Sequence, residues 1–296
     1  MKKENNSQHA DDALEQWKEK EALKKRLGKI KHKLLVLSGK GGVGKSTVAT
    51  NIAFALSEKG FKVGLMDIDI HGPNIPKMLG IEWGQVGGSE GNLQPVYYSP
   101  NLKVMSIGFF LRKEADAVIW RGPLKMALIK QFLRDVDWGE LDYLIVDSPP
   151  GTGDEPLSVC QLIEDADGAL VITTPQDVAL TDIRKAITFC RQVNMPVLGI
   201  VENMSGFICP HCGKRTDLFK CGGGKRIAEE MGEPFLGSIP IDPSVVESCD
   251  EGIPALVKKP KNEVAKAFKQ IVKIIIQKTK EKAPPNLPPE RKRSKE

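Results

Sequence analysis

The stretch Gly39-Lys40-Gly41-Gly42-Val43-Gly44-Lys45-Ser46-Thr47 constrains this chain more than any other. An apolar run, Leu34 to Leu37, precedes it, and a helical pattern, Val48 to Leu56, follows. Strand, glycine-rich turn and helix in that order form a cradle for phosphate. Glycines let successive backbone N–H groups turn inward around an anion, and the helix N-terminus adds its positive end. Lys45 supplies charge to the β- and γ-phosphates, and the Ser46 hydroxyl is the expected Mg²⁺ ligand.

Lys40 makes the loop more specific. A lysine one residue after the first glycine has no evident packing role beside four glycines. This form of the loop resembles the deviant Walker A motif of the MinD/ParA and nitrogenase-iron-protein class. The resemblance implies that Lys40 crosses a dimer interface to the partner's nucleotide.

A chain of 296 residues with 41% hydrophobic residues can bury a sizeable core. The formal charge of +5 is concentrated at the ends, in Lys2, Lys3, Lys18, Lys20, Lys24, Lys25 and Arg26 and again in Arg291, Lys292, Arg293 and Lys295. Such tails are ordinarily solvated, so neither nucleic acid nor membrane is an expected partner. No apolar run reaches membrane-spanning length, and the N-terminus lacks the apolar core of a secretory signal. The expected location is cytoplasmic, where the six cysteines stay reduced and read as core residues, metal ligands or reactive thiols.

Three segments are expected. Residues 1–31 form a charged extension, with Leu14, Trp17, Leu23, Leu27 and Ile30 at imperfect helical spacing. Residues 32–281 form one domain, and 282–296 a Pro-rich, basic, disordered tail. Within the domain, apolar runs recur at Leu34–Leu37, Val63–Met66, Val104–Ile107, Tyr143–Val146, Ala169–Thr173 and Val197–Val201. Most alternate with helical patterns such as Leu124–Leu133 and Ile183–Val193. Near-continuous apolar strands between helices mean a mainly parallel sheet covered by helices on both faces, a three-layer α/β P-loop NTPase. A last helix, Asn262 to about Lys280, puts Val264, Phe268, Ile271, Val272 and Ile275 on one face.

Two further segments belong to the nucleotide site. Leu65-Met-Asp67-Ile-Asp69 ends a strand with two acids on one face, able to orient water or Mg²⁺. Leu141-Asp-Tyr-Leu-Ile-Val-Asp147 is an apolar strand ending in an acid, the Walker B pattern that holds Mg²⁺. Pro149-Pro150-Gly151-Thr152-Gly153 then makes a loop able to sense the γ-phosphate.

Together Trp120-Arg-Gly-Pro123, Val136-Asp-Trp-Gly-Glu-Leu-Asp-Tyr143, Asp147-x-Pro-Pro-Gly-Thr-Gly-Asp154 and Asn203-Met204 resemble the Mrp/ApbC family over about residues 32–257. These are P-loop ATPases regarded as iron–sulfur cluster carriers or scaffolds. The resemblance implies a homodimer that hydrolyses ATP near the subunit interface and passes a cluster to apo-proteins, partnered by a cluster assembly scaffold. It implies catalytic roles for Lys40, Lys45 and Asp69, the last acting on the attacking water. It makes Asp147 the Mg²⁺-side acid and Asn203 an adenine contact.

Cys209-Pro-His-Cys212 places two thiolates within reach of one metal or cluster. A closed site needs four ligands. Cys221 offers a third thiol, and His211 sits in the turn. Two copies of Cys209 and Cys212 across a twofold axis supply four, which resembles the family's bridging 4Fe–4S cluster. A zinc knuckle stays open, as does Cys221 as third ligand, transfer thiol or bystander. Cys160, Cys190 and Cys249 are single and read as small buried hydrophobes. The rival functions are a MinD/ParA-like partitioning ATPase and a zinc-stabilised nucleotide-binding scaffold.

Overall fold

The computed structural model describes residues 20–89, 91–110, 122–209 and 212–282. Leu14 and Trp17, the Trp120-Arg121 pair, His211 and the tail from Ala283 lie outside them.

A short helix α1, 20–27, leads into strand β1 at Ile30–Ser38. The chain continues through α2 (Lys45–Ser57), β2 (Val63–Asp67), α3 (Ile75–Met78), β3 (Gly87–Ser89), β4 (Asn92–Gln94), β5 (Val96–Ser99) and β6 (Leu102–Ser106). Next come α4 (Gly122–Asp135), β7 (Leu141–Asp147), α5 (Asp154–Leu162), β8 (Gly168–Thr173), α6 (Asp177–Gln192) and β9 (Val197–Glu202). A small hairpin, β10 (Phe207–Ile208) and β11 (Arg215–Thr216), precedes α7 (Gly223–Met231), β12 (Phe235–Ser238), α8 (Pro243–Asp250), α9 (Ala255–Lys258) and α10 (Glu263–Lys282).

Eight strands form one sheet in the order β12-β9-β8-β1-β7-β2-β6-β5. Every pairing is parallel except that of edge strand β5 with β6. The expected α/β architecture is therefore the observed one. β1 explains the layering: Leu35 and Leu37 join one buried cluster, Leu34 and Val36 the other. Alternate side chains of a strand point to opposite faces, so an unbroken apolar run serves two cores at once. α2 and α10 cover one face through Ile52, Phe268 and Ile271. α4, α5, α6 and α7 cover the other through Phe132, Val159, Ile183 and Ile227.

Val264, Phe268, Ile271, Val272 and Ile275 of α10 are all buried, so this face is core rather than a membrane anchor. Tyr143 on β7 closes the same layer with a 2.9 Å hydrogen bond to Thr279. Among the described residues no helix is long and apolar enough to cross a membrane. Leu23 and Leu27 of α1 are buried in the main cluster, so the described end of the charged extension packs against the sheet.

β1 connects towards β2 on one side, while its neighbour β8 connects towards β9 on the other. The crevice at their carboxyl ends is a topological switch point, where open α/β sheets bind ligands. The loop after β1 opens into it.

Candidate nucleotide site and cysteine hairpin

Loop 39–44 owes its shape to glycine at particular positions. Gly42 and Gly44 have φ of 77° and 79°, the left-handed region that glycine enters without steric cost. Gly39 and Gly44 also meet close neighbours. A Cβ on Gly39 would sit 2.2 Å from the Asp182 carbonyl oxygen of α6, and one on Gly44 would sit 2.3 Å from Asn203 Nδ2. Gly41 faces open space. Val43 is buried, and Thr47 stands in the first turn of α2.

Lys45 is buried at the start of α2 and reaches three acids. Its Nζ lies 2.6 Å from Asp147 Oδ1 and 3.6 Å from Asp69 Oδ2. It also acts electrostatically on Asp67. Asp67 ends β2 opposite Asp147, the last residue of β7, in the parallel register. Its carboxylate accepts from Ser106 Oγ at 2.9 Å and from the backbone of Asp69 at 3.2 Å. Burial, then the charge of Asp147, pushes Asp67 up to about 8, against the pull of Lys45 and Ser106. Burial also raises Asp147, opposed by its bond to Lys45 and by the hydroxyl of Ser46. One lysine is thus shared among acids of which Asp67 is the natural proton carrier.

Asp147 Oδ2 is buried with no hydrogen-bond partner. A buried carboxylate oxygen left unsatisfied is costly. Beside the Ser46 hydroxyl it forms a hard-oxygen pair of the kind Mg²⁺ prefers. The residues present therefore fit that ion. Lys40 is half-buried, and no carboxylate of its own chain pairs with it among the described residues. Asn203, just past β9, is buried, and its Nδ2 donates to the Val43 carbonyl at 2.9 Å. It sits beneath the phosphate loop.

The cysteine pair lies at the same edge of the sheet. The segment after Asn203 enters the β10–β11 hairpin, whose loop carries both thiols. Cys209 N–H donates to the Lys214 carbonyl, and Gly213 N–H returns to the Cys209 carbonyl at 2.9 Å. Cys209 is half-buried, while Cys212 and Cys221 are exposed. The Cys221 thiol donates to Asp217 Oδ2 at 3.4 Å, and that bond holds its proton on. Among the described residues no group of three or more His, Cys, Asp or Glu is arranged to hold a metal. Cys221 is accordingly not grouped with Cys209 and Cys212 in this arrangement. Burial raises Cys160 to about 11 and Cys190 to about 12, as befits inert core thiols.

Glu202 is the site residue that sequence reasoning missed. It ends the apolar strand β9, is fully buried, and accepts from the backbone of Gly222 and Gly224. An acid closing an apolar run was the available signal, the same one that marks Asp147.

Known proteins resemble this chain in sequence and fold. The NUBPL iron-transfer P-loop NTPase family matches residues 29–276. The iron-sulfur cluster carrier protein of Methanocaldococcus jannaschii is 50% identical over 260 residues, which are 88% of this chain and 89% of that protein. A nucleotide-binding protein of Archaeoglobus fulgidus, solved in complex with ADP, is 41% identical with a TM-score of 0.73, covering 84% of this chain and 96% of that one. The cell division ATPase MinD of Pyrococcus furiosus is 26% identical with a TM-score of 0.61, covering 83% and 98%. The chain belongs to the NUBPL iron-transfer P-loop NTPase family, the kinship that its phosphate loop, strand-end acids and paired cysteines had pointed to.

Proposed function

We propose that this protein is a cytoplasmic ATPase that carries an iron–sulfur cluster between two copies of itself and delivers it to apo-proteins. The observation that carries the reading is the meeting of two sites at one sheet edge. The phosphate loop, with its lysine and acids, is held by Asn203, which leads into the hairpin that bears the half-buried Cys209 and the exposed Cys212. One chain offers two thiolates and a closed cluster needs four, so a twofold axis through the hairpins supplies the set.

Lys45 leaves Asp147 for the β- and γ-phosphates when nucleotide enters. Ser46 and Asp147 would hold Mg²⁺, which supplies the compensating positive charge when bound. Asp69, already within reach of Lys45, orients the attacking water. Lys40 is paired with no acid of its own chain among the described residues and serves the partner's nucleotide. The turns at Gly39, Gly41, Gly42 and Gly44, with Val43 and Thr47, wrap the phosphates, and Asn203 serves adenine from beneath the loop. Phosphoryl transfer to water needs little else from the protein than this positioning and charge.

Anaerobic reconstitution with iron and sulfide is the test, followed by iron, sulfide and mass determination and by transfer to an apo-enzyme. About four irons per dimer supports the bridge. A monomer holding a full cluster refutes the bridge. One zinc per chain with no reconstitutable chromophore favours the zinc scaffold, which the tight Cys209–Gly213 turn also suits.

A further inference from the structure

Four residues join the two sites. We propose that the tip of β9, Glu202 to Ser205, couples the phosphate loop to the cysteine-bearing segment, with Glu202 as the positioning residue on the cysteine side. The functional meaning rests on the cluster reading above; the coupling itself does not require metal.

Glu202 is fully buried, and among the described residues its partners are all hydrogen-bond donors, none of them a cation. Oε1 accepts from Gly222 N–H at 2.9 Å and Ser205 Oγ at 2.6 Å, and Oε2 accepts from Gly224 N–H. A buried acid without a basic partner persists only when such donors compensate it. Two of the three come from the start of α7, whose positive end suits a carboxylate. Packing alone would ask for an apolar residue here. The charge instead pins the turn that immediately follows Cys221. Glycine makes the seat close: a Cβ on Gly223 would meet the Pro175 carbonyl at 2.6 Å, and one on Gly224 would meet the Glu202 Cβ at 3.1 Å.

The next residue faces the other way. Asn203 N–H is tied to the Thr173 carbonyl at 2.8 Å, and its side chain holds Val43. Only glycine at position 44 leaves room for its amide, since a Cβ there would collide with it. A shift of Val43–Gly44 around an entering phosphate is therefore transmitted to Asn203. Met204 follows with φ of 56°, a left-handed turn that a side chain adopts only under constraint. Ser205 and Gly206 then fix the chain as it enters the hairpin: Ser205 N–H donates to Ile239, and Gly206 accepts from Ile241 at 2.7 Å. Arg215 of β11 reaches back to the Ser205 carbonyl at 3.5 Å. One short turn thus touches the phosphate loop, the Cys209–Cys212 hairpin and the Cys221 turn. Coupling between binding sites is reciprocal, so whatever occupies the thiols changes nucleotide affinity by the factor that nucleotide changes theirs.

The test uses the full chain without metal, with and without saturating Mg-ADP. Hydrogen exchange is read at the Gly222 and Gly224 amides, and iodoacetamide alkylation at Cys212 and Cys221. The wild type is expected to change these rates by about fivefold or more on adding Mg-ADP. Glu202→Gln puts an amide where two N–H groups need acceptors. It should abolish that nucleotide response while the Kd for ADP stays within about twofold. Ser205→Ala, which removes one donor of three, should weaken the response and serves if the first variant does not fold. A role confined to stability would change the basal rates and leave the response. An undiminished response in either variant, or no response in the wild type, overturns the coupling. Failure of the cluster reading looks different: the response survives, but reconstitution with iron and sulfide gives no cluster.

Discussion

Lys45 is already occupied before any phosphate arrives. Its charge is divided among Asp147, Asp69 and the field of Asp67. Lys45→Ala should abolish ATP binding by calorimetry. It should also cost the nucleotide-free protein about 3 kcal/mol in denaturant unfolding, because the acids lose the buried cation they share. Asp69→Asn and Lys40→Ala should keep ATP binding and lose turnover by roughly 10²–10⁴-fold in a phosphate-release assay. Equal loss of binding in Lys40→Ala and Lys45→Ala would remove the trans-acting role of Lys40. Asp67 makes a different demand. Its folded value of about 8 lies above the ordinary 3.8, so the native state keeps a proton that the unfolded chain has released. That contribution is fully present below about pH 4 and is lost as pH rises through about 8. Thermal melts without nucleotide should therefore fall across this window. Asp67→Asn, a neutral mimic of the protonated acid, should flatten the fall and stay within about 1 kcal/mol of wild type at pH 6. An unaltered pH profile in that variant would assign the slope elsewhere.

At the level of elements, the hairpin and the phosphate loop are separately breakable. Cys209→Ser or Cys212→Ser should lose the reconstituted chromophore and weaken the dimer, with the ADP affinity of the metal-free protein unchanged. Cys221→Ser should do much less, since its thiol is held by Asp217. Loss of the cluster in Cys221→Ser alone would replace the two-plus-two set. Sequence reasoning reached β1, β2, β6, β7, β8 and β9 because each is a nearly unbroken apolar run, the mark of a strand buried on both faces. It missed β5 and β12, which lie at the sheet edges; Phe235–Ser238 is short and broken by Gly237. It also missed α7, whose first turn carries glycine and looks like loop. At the site, Gly39 to Thr47 and Asp147 were legible because phosphate and Mg²⁺ chemistry dictates local spacing. Glu202 carried only the strand-end signal, because two of its three partners are backbone amides twenty and twenty-two residues further on, which leave no sequence pattern of their own. The raised proton affinity of Asp67 was equally hidden, since it comes from the register that sets Asp67 beside Asp147.

For the whole molecule, α10 is the closing element, lying against α2 and β12. Phe268→Ala should cost about 3–5 kcal/mol, read as a lowered urea midpoint, by emptying a fully buried ring site. The sheet order has a further consequence, in time. β1 carries the phosphate loop, and both of its neighbours, β7 and β8, come more than a hundred residues later. A ribosome adding roughly 5–20 residues per second needs on the order of ten seconds to supply them. Through that interval the apolar run Leu34–Leu37 lacks its native partner on either edge and the phosphate loop has no floor. The newborn chain is thus most in need of a chaperone while its first third waits for its middle, and the nucleotide site is complete only after Asn203 has emerged.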